Sequence, residues 1–308
     1  MYQDLLSRRF RSARGVLCIV ALCGCDVAKF TADSTAGLFA RAAPAFESYW
    51  DYDLAGEAVP ATIVQLEGIL RIVPDNDSIL AQLSQAYMGY AYGWVEADVE
   101  ALEFEEEYDE ADVQRQRIRT MYLRAMDLTR DRIRLRDEGI DYAVKGTVEE
   151  LDAWLHEAFQ EKQDAEVLLW HGYAWGSYIN AAKDDMEAVA DLAYAKAFVE
   201  RSIELDPDYY HAAGYTFMGV ATASEMAADL DEAKLYFEKA LDRTERRALL
   251  TQVNMARYYA VKAGNRELFD ALLAEVMEAQ DPLPEARLSN RMARVRAAMY
   301  LKNADQLF

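Results

Sequence analysis

Apolar residues recur at helical spacing along most of this chain. Ile63, Leu66, Leu70 and Val73 fall on one face, and Leu151, Trp154, Leu155, Ala158 and Phe159 follow an i, i+3, i+4, i+7, i+8 stripe. No alternation of apolar and polar residues runs long enough to predict a strand. The gaps between stripes carry the chemistry of helix ends. Pro74-Asp75-Asn76-Asp77-Ser78 stops one helix and caps the next, and Thr147-Val-Glu-Glu150 has the form of a capping box. Asp206-Pro207-Asp208 separates two further helices, and Gly264-Asn265 supplies a C′ glycine followed by a capping asparagine. The pattern predicts an all-α protein.

The stripes also repeat. In the second helix of a tetratricopeptide unit, a small residue is followed by a bulky one four later, a small one three beyond that, and Pro at twelve. Ala195, Val199, Ser202 and Pro207 fill all four places; Ala233, Phe237 and Ala240 fill three, and Thr62, Leu66, Ile69 and Pro74 fit loosely. Ala221 stands twelve before Ala233, and Ala256 twelve before Leu268, so neighbouring units are offset by 35 residues. Small residues recur in such units because paired helices cross closely there. Tetratricopeptide-like helical hairpins in an α–α superhelix are therefore expected over residues 41–308, as a single domain.

Residues 101–138 interrupt the repeat. A strongly acidic run over 102–112 gives way to a basic, amphipathic stretch, Gln114 to Arg136, with Ile118, Met121, Tyr122 and Ala125 on one side. An exposed helix pair with mutually compensating charge is expected there.

The first residues read as an address. Arg8, Arg9, Arg11 and Arg14 form a basic region ahead of a short apolar core, Gly15-Val-Leu-Cys-Ile-Val-Ala-Leu22. That core is short for a bilayer and suits a secretory signal. Leu22-Cys23-Gly24-Cys25 resembles a bacterial lipobox, with Cys23 in a place usually held by Ala, Ser or Thr. The expectation is a lipoprotein signal over 1–24, lipidation of Cys25, and a flexible tether over 25–40, where small and polar residues dominate. Acyl chains on Cys25 would hold the protein on a membrane, facing the periplasm, without a spanning helix. Asp26 is a weak hint of inner-membrane retention, so inner and outer membranes both stay open.

The formal charge is −21, and residues 1–24 contribute a net +3, which leaves −24 for the remainder. A surface of that sign repels phosphate backbones, so nucleic acid is excluded as a partner. The three cysteines stand at 18, 23 and 25, which leaves the body without disulfides or thiolate ligands. His156-Glu-Ala-Phe-Gln160 begins like a zinc-protease motif and lacks its second histidine, while His171 and His211 are scattered. No nucleophile elbow, phosphate-cradling loop or dinucleotide fingerprint occurs. A non-enzymatic protein without metal or cofactor is expected.

Aromatic residues form the informative cluster. Trp170, Tyr173, Trp175 and Tyr178 alternate with Gly172, Ala174 and Gly176, and a second set holds Tyr209, Tyr210, His211 and Tyr215 beside Phe217. Rings beside glycines suit close helix packing. They equally suit the wall of a groove for an apolar or amphipathic ligand.

Several segments resemble one family closely: Leu168-Leu-Trp-His-Gly-Tyr-Ala-Trp-Gly-Ser-Tyr178 with the residues up to Asp185, Val199 to His211, Tyr236-Phe-Glu-Lys-Ala-Leu241, Ala256-Arg-Tyr-Tyr259, Arg266-Glu-Leu-Phe269, Ala286-Arg-Leu-Ser-Asn290 and Asp305-Gln-Leu-Phe308. Together they look like the T-component of tripartite ATP-independent periplasmic (TRAP) transporters, the TatT family. The likeness is strongest from about residue 165 onward and weakest over 85–140. It implies a periplasm-facing lipoprotein, a homotrimer, association with the substrate-binding P-component, and an apolar pore or cleft in each protomer. A general envelope scaffold that grips a peptide in its repeat groove is the alternative the residues leave open.

Overall fold

A computed structural model describes residues 27–308. The expected signal over 1–24 and the lipidation site at Cys25 lie outside the described residues. Helices follow one another as α1 (Val27–Glu47), α2 (Tyr52–Leu70), α3 (Asp77–Tyr90), α4 (Glu96–Phe104), α5 (Tyr108–Arg134), α6 (Ile140–Ala143), α7 (Val148–Ala158), α8 (Ala165–Ala181), α9 (Met186–Ala190), α10 (Leu192–Leu205), α11 (Tyr209–Ser224), α12 (Leu230–Arg243), α13 (Leu250–Asn254), α14 (Arg266–Glu278) and α15 (Arg287–Lys302). A π-turn over Ala91–Val95 joins α3 to α4, and another over Met255–Ala260 extends α13. No strand occurs among the described residues, and none of their helices is long and apolar enough to cross a membrane.

Polar caps set the helix starts. Asn76 accepts from the Ile79 amide at 3.0 Å, Asn265 from Leu268 at 2.9 Å, and Thr147 and Glu150 form a reciprocal capping box. The chain breaks between Leu205 and Tyr209, as Pro207 dictates. Helices then pack in sequence order: α2 on α3, α5 on α3 and α8, α10 on α8 and α11, α12 on α11, α14 on α13 and α15. This succession of helical hairpins is consistent with a tetratricopeptide-like array. The small residues mark the crossings. A Cβ on Gly172 would stand 2.5 Å from Val199 Cγ2 and 2.8 Å from the Ala195 carbonyl oxygen, so α8 and α10 meet there backbone to backbone.

Two stretches differ from expectation. Residues 27–47 form helix α1 where a tether was expected over 25–40. Ala32 and Ala36 are buried against α3, Asn76 donates to the Asp33 carboxylate at 2.9 Å, and Gln82 donates to the Ala36 carbonyl at 3.3 Å. Small residues that suggest a flexible chain in isolation here permit close packing. Helix α5 is only partly an exposed partner for the acidic run. Arg115 does pair with Glu103 and Asp112. Farther along, Ile118, Tyr122, Ala125, Leu128 and Ile133 are fully buried between α3 and α8. Arg132 is buried with them, its guanidinium held by Asp77 and Glu166 at 3.0 Å each.

The array curls until its last helix meets its first third. Leu288 and Met292 of α15 pack with Ala55, Tyr52 and Trp94, and Arg287 donates to the Ser48 carbonyl at 3.1 Å. At the centre of this seam lies Arg296, 3% exposed. Its guanidinium donates to Glu100 at 2.6 Å, to Glu96 at 3.2 Å and to the Tyr92 carbonyl at 2.7 Å, with the Tyr92 ring 4.3 Å away. A π-turn leaves one carbonyl without its helical partner, and the Tyr92 carbonyl within it is taken by Arg296.

Two helix ends share one geometry with different residues. Gly264 (φ +62°) and Glu106 (φ +63°) both sit left-handed after a helix, and each is followed by an amide bonded back into the last turn, Asn265 to Ala260 and Glu107 to Leu102. The side chain of Glu106 is exposed. Glu106→Gly should therefore raise stability by about 1 kcal/mol and Gly264→Ala lower it by about 1 kcal/mol, read from urea midpoints at constant m. Arg296→Met should cost about 3–5 kcal/mol, because two buried carboxylates lose their counter-ion. Adding Glu100→Gln to that variant should recover part of the loss.

Candidate functional site

The curled array borders a half-open hollow of about 1150 Å³. That is somewhat above the usual range for small-molecule sites, about 300–1,000 Å³. Trp170, Tyr173, Gly176 and Asn180 reach it from one face of α8. Tyr210, His211, Thr216 and Phe217 contribute from α11, Tyr90, Tyr92 and Trp94 from the end of α3 and its π-turn, Phe39 and Phe46 from α1, and Leu288 and Met292 from α15.

Backbone geometry explains how α11 presents two rings. Tyr210, His211 and Ala212 are all left-handed, with φ of 48°, 59° and 56°. Regular helix resumes only beyond them. The displaced turn sets the Tyr210 ring edge-on to Trp170, centroids 4.7 Å apart. Trp170 in turn donates to the Tyr209 hydroxyl at 3.2 Å, and the Tyr173 hydroxyl donates to the Ala213 carbonyl at 3.2 Å. Such φ values cost non-glycine residues roughly 1–2 kcal/mol each, and the ring contacts help hold the turn.

The expected aromatic residues divide. Trp170, Tyr173, Tyr210 and His211 line the hollow, while Trp175, Tyr178, Tyr209 and Tyr215 are absent from its lining. Trp175 stacks on Tyr194 at 5.9 Å and packs against Phe198, on the face of α8 turned to α10. Tyr178 is half-buried in the neighbouring core, and Tyr209 packs beneath Trp170. Tyr215 lies under Lys239 and Arg243 on the side facing α12. Sequence reasoning missed Tyr90, Tyr92 and Trp94, although Tyr90-Ala-Tyr-Gly-Trp94 shows the same alternation of rings and small residues. Phe39 and Phe46 were missed because α1 was not expected.

Burial pushes the Tyr173 phenol well above its ordinary value; burial and then Glu47 do the same to Tyr210, and burial holds the His211 imidazole below its usual value.

The far end is different. There the hollow adjoins a second one of about 840 Å³, and Glu96, Asn180, Lys183, Ser224 and Tyr258 lie in the walls of both. Glu100, Arg115, Arg119 and Arg257 complete the charged side. Among the described residues the molecule thus holds a ring-lined chamber opening onto a charged one.

The family model for the TRAP transporter T-component matches residues 49–308. The chain belongs to that family. No curated protein matches it. Membership makes this T-component part of a TRAP transporter system. It covers both chambers except for the contribution of α1, which lies before residue 49.

Beneath the wall of this T-component, His171 is fully buried between α8 and α10, with Nδ1 2.8 Å from the Thr129 hydroxyl and its ring edge-on to Phe198. Burial, helped by the nearby Arg130 charge, lowers its pKa to about 3. A folded pKa below the unfolded 6.5 means that the unfolded chain takes up the proton first. Stability is then complete above about pH 6.5 and falls as the pH drops toward 3, by up to about 1.4 kcal/mol per pH unit. Thermal melts between pH 7 and pH 4 should show this decline, with a shallower slope in His171→Gln.

Proposed function

We propose that this T-component is a non-enzymatic accessory of a TRAP-type uptake system that docks the substrate-binding P-component and binds or channels an apolar organic acid through the ring-lined hollow. It is held on a membrane by lipid on Cys25, faces the periplasm, and acts as a homotrimer. The observation that carries the ligand half of this reading is the hollow itself. An interior meant only for packing closes around its rings to near-crystalline density; here Trp170, Tyr173, Tyr210 and Phe217 border about 1150 Å³ of space. Family membership supports the transporter half.

Apolar area removed from water contributes roughly 25 cal/mol per Å², so burying one ring is worth about 1.5–3 kcal/mol. Binding of N-phenyl-1-naphthylamine, a neutral apolar dye, should therefore weaken roughly tenfold or more in Trp170→Ala/Tyr210→Ala, measured by dye emission on the folded protein. Unchanged binding would remove the hollow from the proposal. Native pull-down of detergent-extracted protein tests the docking half. Recovery of a P-component supports it, whereas outer-membrane assembly factors or cell-wall enzymes in its place would favour a general envelope scaffold.

A further inference from the structure

The junction between the two chambers is unevenly matched. Each carboxylate there has donors on both oxygens. Glu96 receives the Tyr122 hydroxyl at 2.6 Å and Arg296 at 3.2 Å; Glu100 receives Arg296 at 2.6 Å and Tyr300 at 2.8 Å. Farther out, Arg115 is taken by Glu103 and Asp112, Arg119 by Asp184, and Lys262 by the carbonyls of Ala223 and Glu225. Lys183 differs. It stands in the walls of both chambers, and among the described residues no hydrogen bond or ion pair engages its ammonium. Lys183 is an exposed residue; desolvation by the surrounding walls and then Arg257 lower its pKa, while Glu96, Glu100 and Glu103 act in the opposite sense. Two groups beside it are also under-matched. Arg257 reaches Glu100 only at 3.7 Å and leaves its buried Nε without a partner, and Asn180 keeps a buried side-chain oxygen unpaired.

Spare donors of Lys183 and Arg257 gather where the ring-lined chamber ends, and the carboxylates of Glu96 and Glu100 beside them are already engaged, while the Asn180 amide oxygen is a free acceptor. With N–H donors of Lys183 and Arg257 unengaged and the carboxylates of Glu96 and Glu100 each bonded on both oxygens, an incoming anion gains hydrogen bonds there that a cation or a neutral head does not. We propose that Lys183, flanked by Arg257, binds the carboxylate head of a single-chain amphiphile whose tail lies along Trp170, Tyr173 and Phe217. This rests on the hollow being a ligand chamber, and it adds a direction to the chamber: the head lies at the charged end, the tail among the rings.

The test compares three probes with the same tail, dodecanoate, 1-dodecanol and dodecyltrimethylammonium, each below its micelle concentration and titrated as a competitor of the neutral dye. The protein is the full chain in its wild-type and Lys183→Met forms. Wild type should bind dodecanoate at least tenfold tighter than dodecanol, with the cation weakest. Lys183→Met should weaken dodecanoate about tenfold and leave dodecanol unchanged, and Lys183→Arg should retain the preference. Lys183 makes no bond in the fold, so an unchanged melting temperature should accompany the loss. Equal binding of all three probes, or preference for the cation, overturns the head-group assignment while the hollow stands. Failure of every probe and of the dye to bind overturns both readings.

Discussion

The structure depends on one guanidinium. Arg296 lies near the C-terminus, and its partners Tyr92, Glu96 and Glu100 lie about two hundred residues earlier. Stacked hairpins contact only their neighbours and would by themselves leave an open groove. Arg296 ties the last helix to the first third of the array, and a groove whose two edges are joined becomes a chamber. The energetic form of this tie matters. A buried ion cluster contributes little net stability against well-packed apolar residues, yet losing one member is severe. Such a cluster therefore acts mainly on specificity. It tolerates one closed arrangement and heavily penalises those in which the seam is shifted or open.

The π-turn at Ala91–Val95 belongs to the same device. The Tyr92 carbonyl within that turn accepts from Arg296 at 2.7 Å. The same turn carries Tyr92 and Trp94, both of which line the hollow. Closure of the array and lining of its interior thus come from one local irregularity. Other interior irregularities line the same hollow. Tyr258 belongs to the second π-turn, and Tyr210 and His211 to the left-handed segment. Locally unfavourable backbone concentrates where a protein uses its interior for something besides packing.

How much of this was legible in the sequence follows from the range of the signals. Caps and breaks such as Thr147, Asn265 and Pro207 act within four residues of themselves, and the structure places helix ends where they require. Periodicity placed Ala195 among the small residues of the repeat, whereas its crossing with Gly172 is seen only in the structure. The α1 helix was not legible because Thr31, Ala32, Ser34 and Ala36 have the composition of a linker, and only the partner surface on α3 makes them helical. The left-handed run at Tyr210–Ala212 contains no glycine, so no residue announces it. Four of the eight expected rings line the hollow, because ring content reports a helix rich in aromatics without saying which side faces in. On α8, Trp170 and Tyr173 face the hollow while Trp175 faces α10, a choice set by where Gly172 lets α10 approach.

The overall charge of −21 makes the interior more informative than the surface. An acidic exterior lowers the local concentration of anions at long range, an effect screened over about 8–10 Å in salt. A site for an anion in such a protein therefore gains by being internal, away from the summed field of surface carboxylates. The seam meets that condition by pairing Glu96 and Glu100 with Arg296 and two phenols. Those carboxylates are then engaged, and the nearby Lys183 and Arg257 retain unmatched donors. The cluster that closes the array thereby also sets the polarity of one end of the chamber. Fold closure and ligand orientation would be one arrangement of charges seen from its two sides.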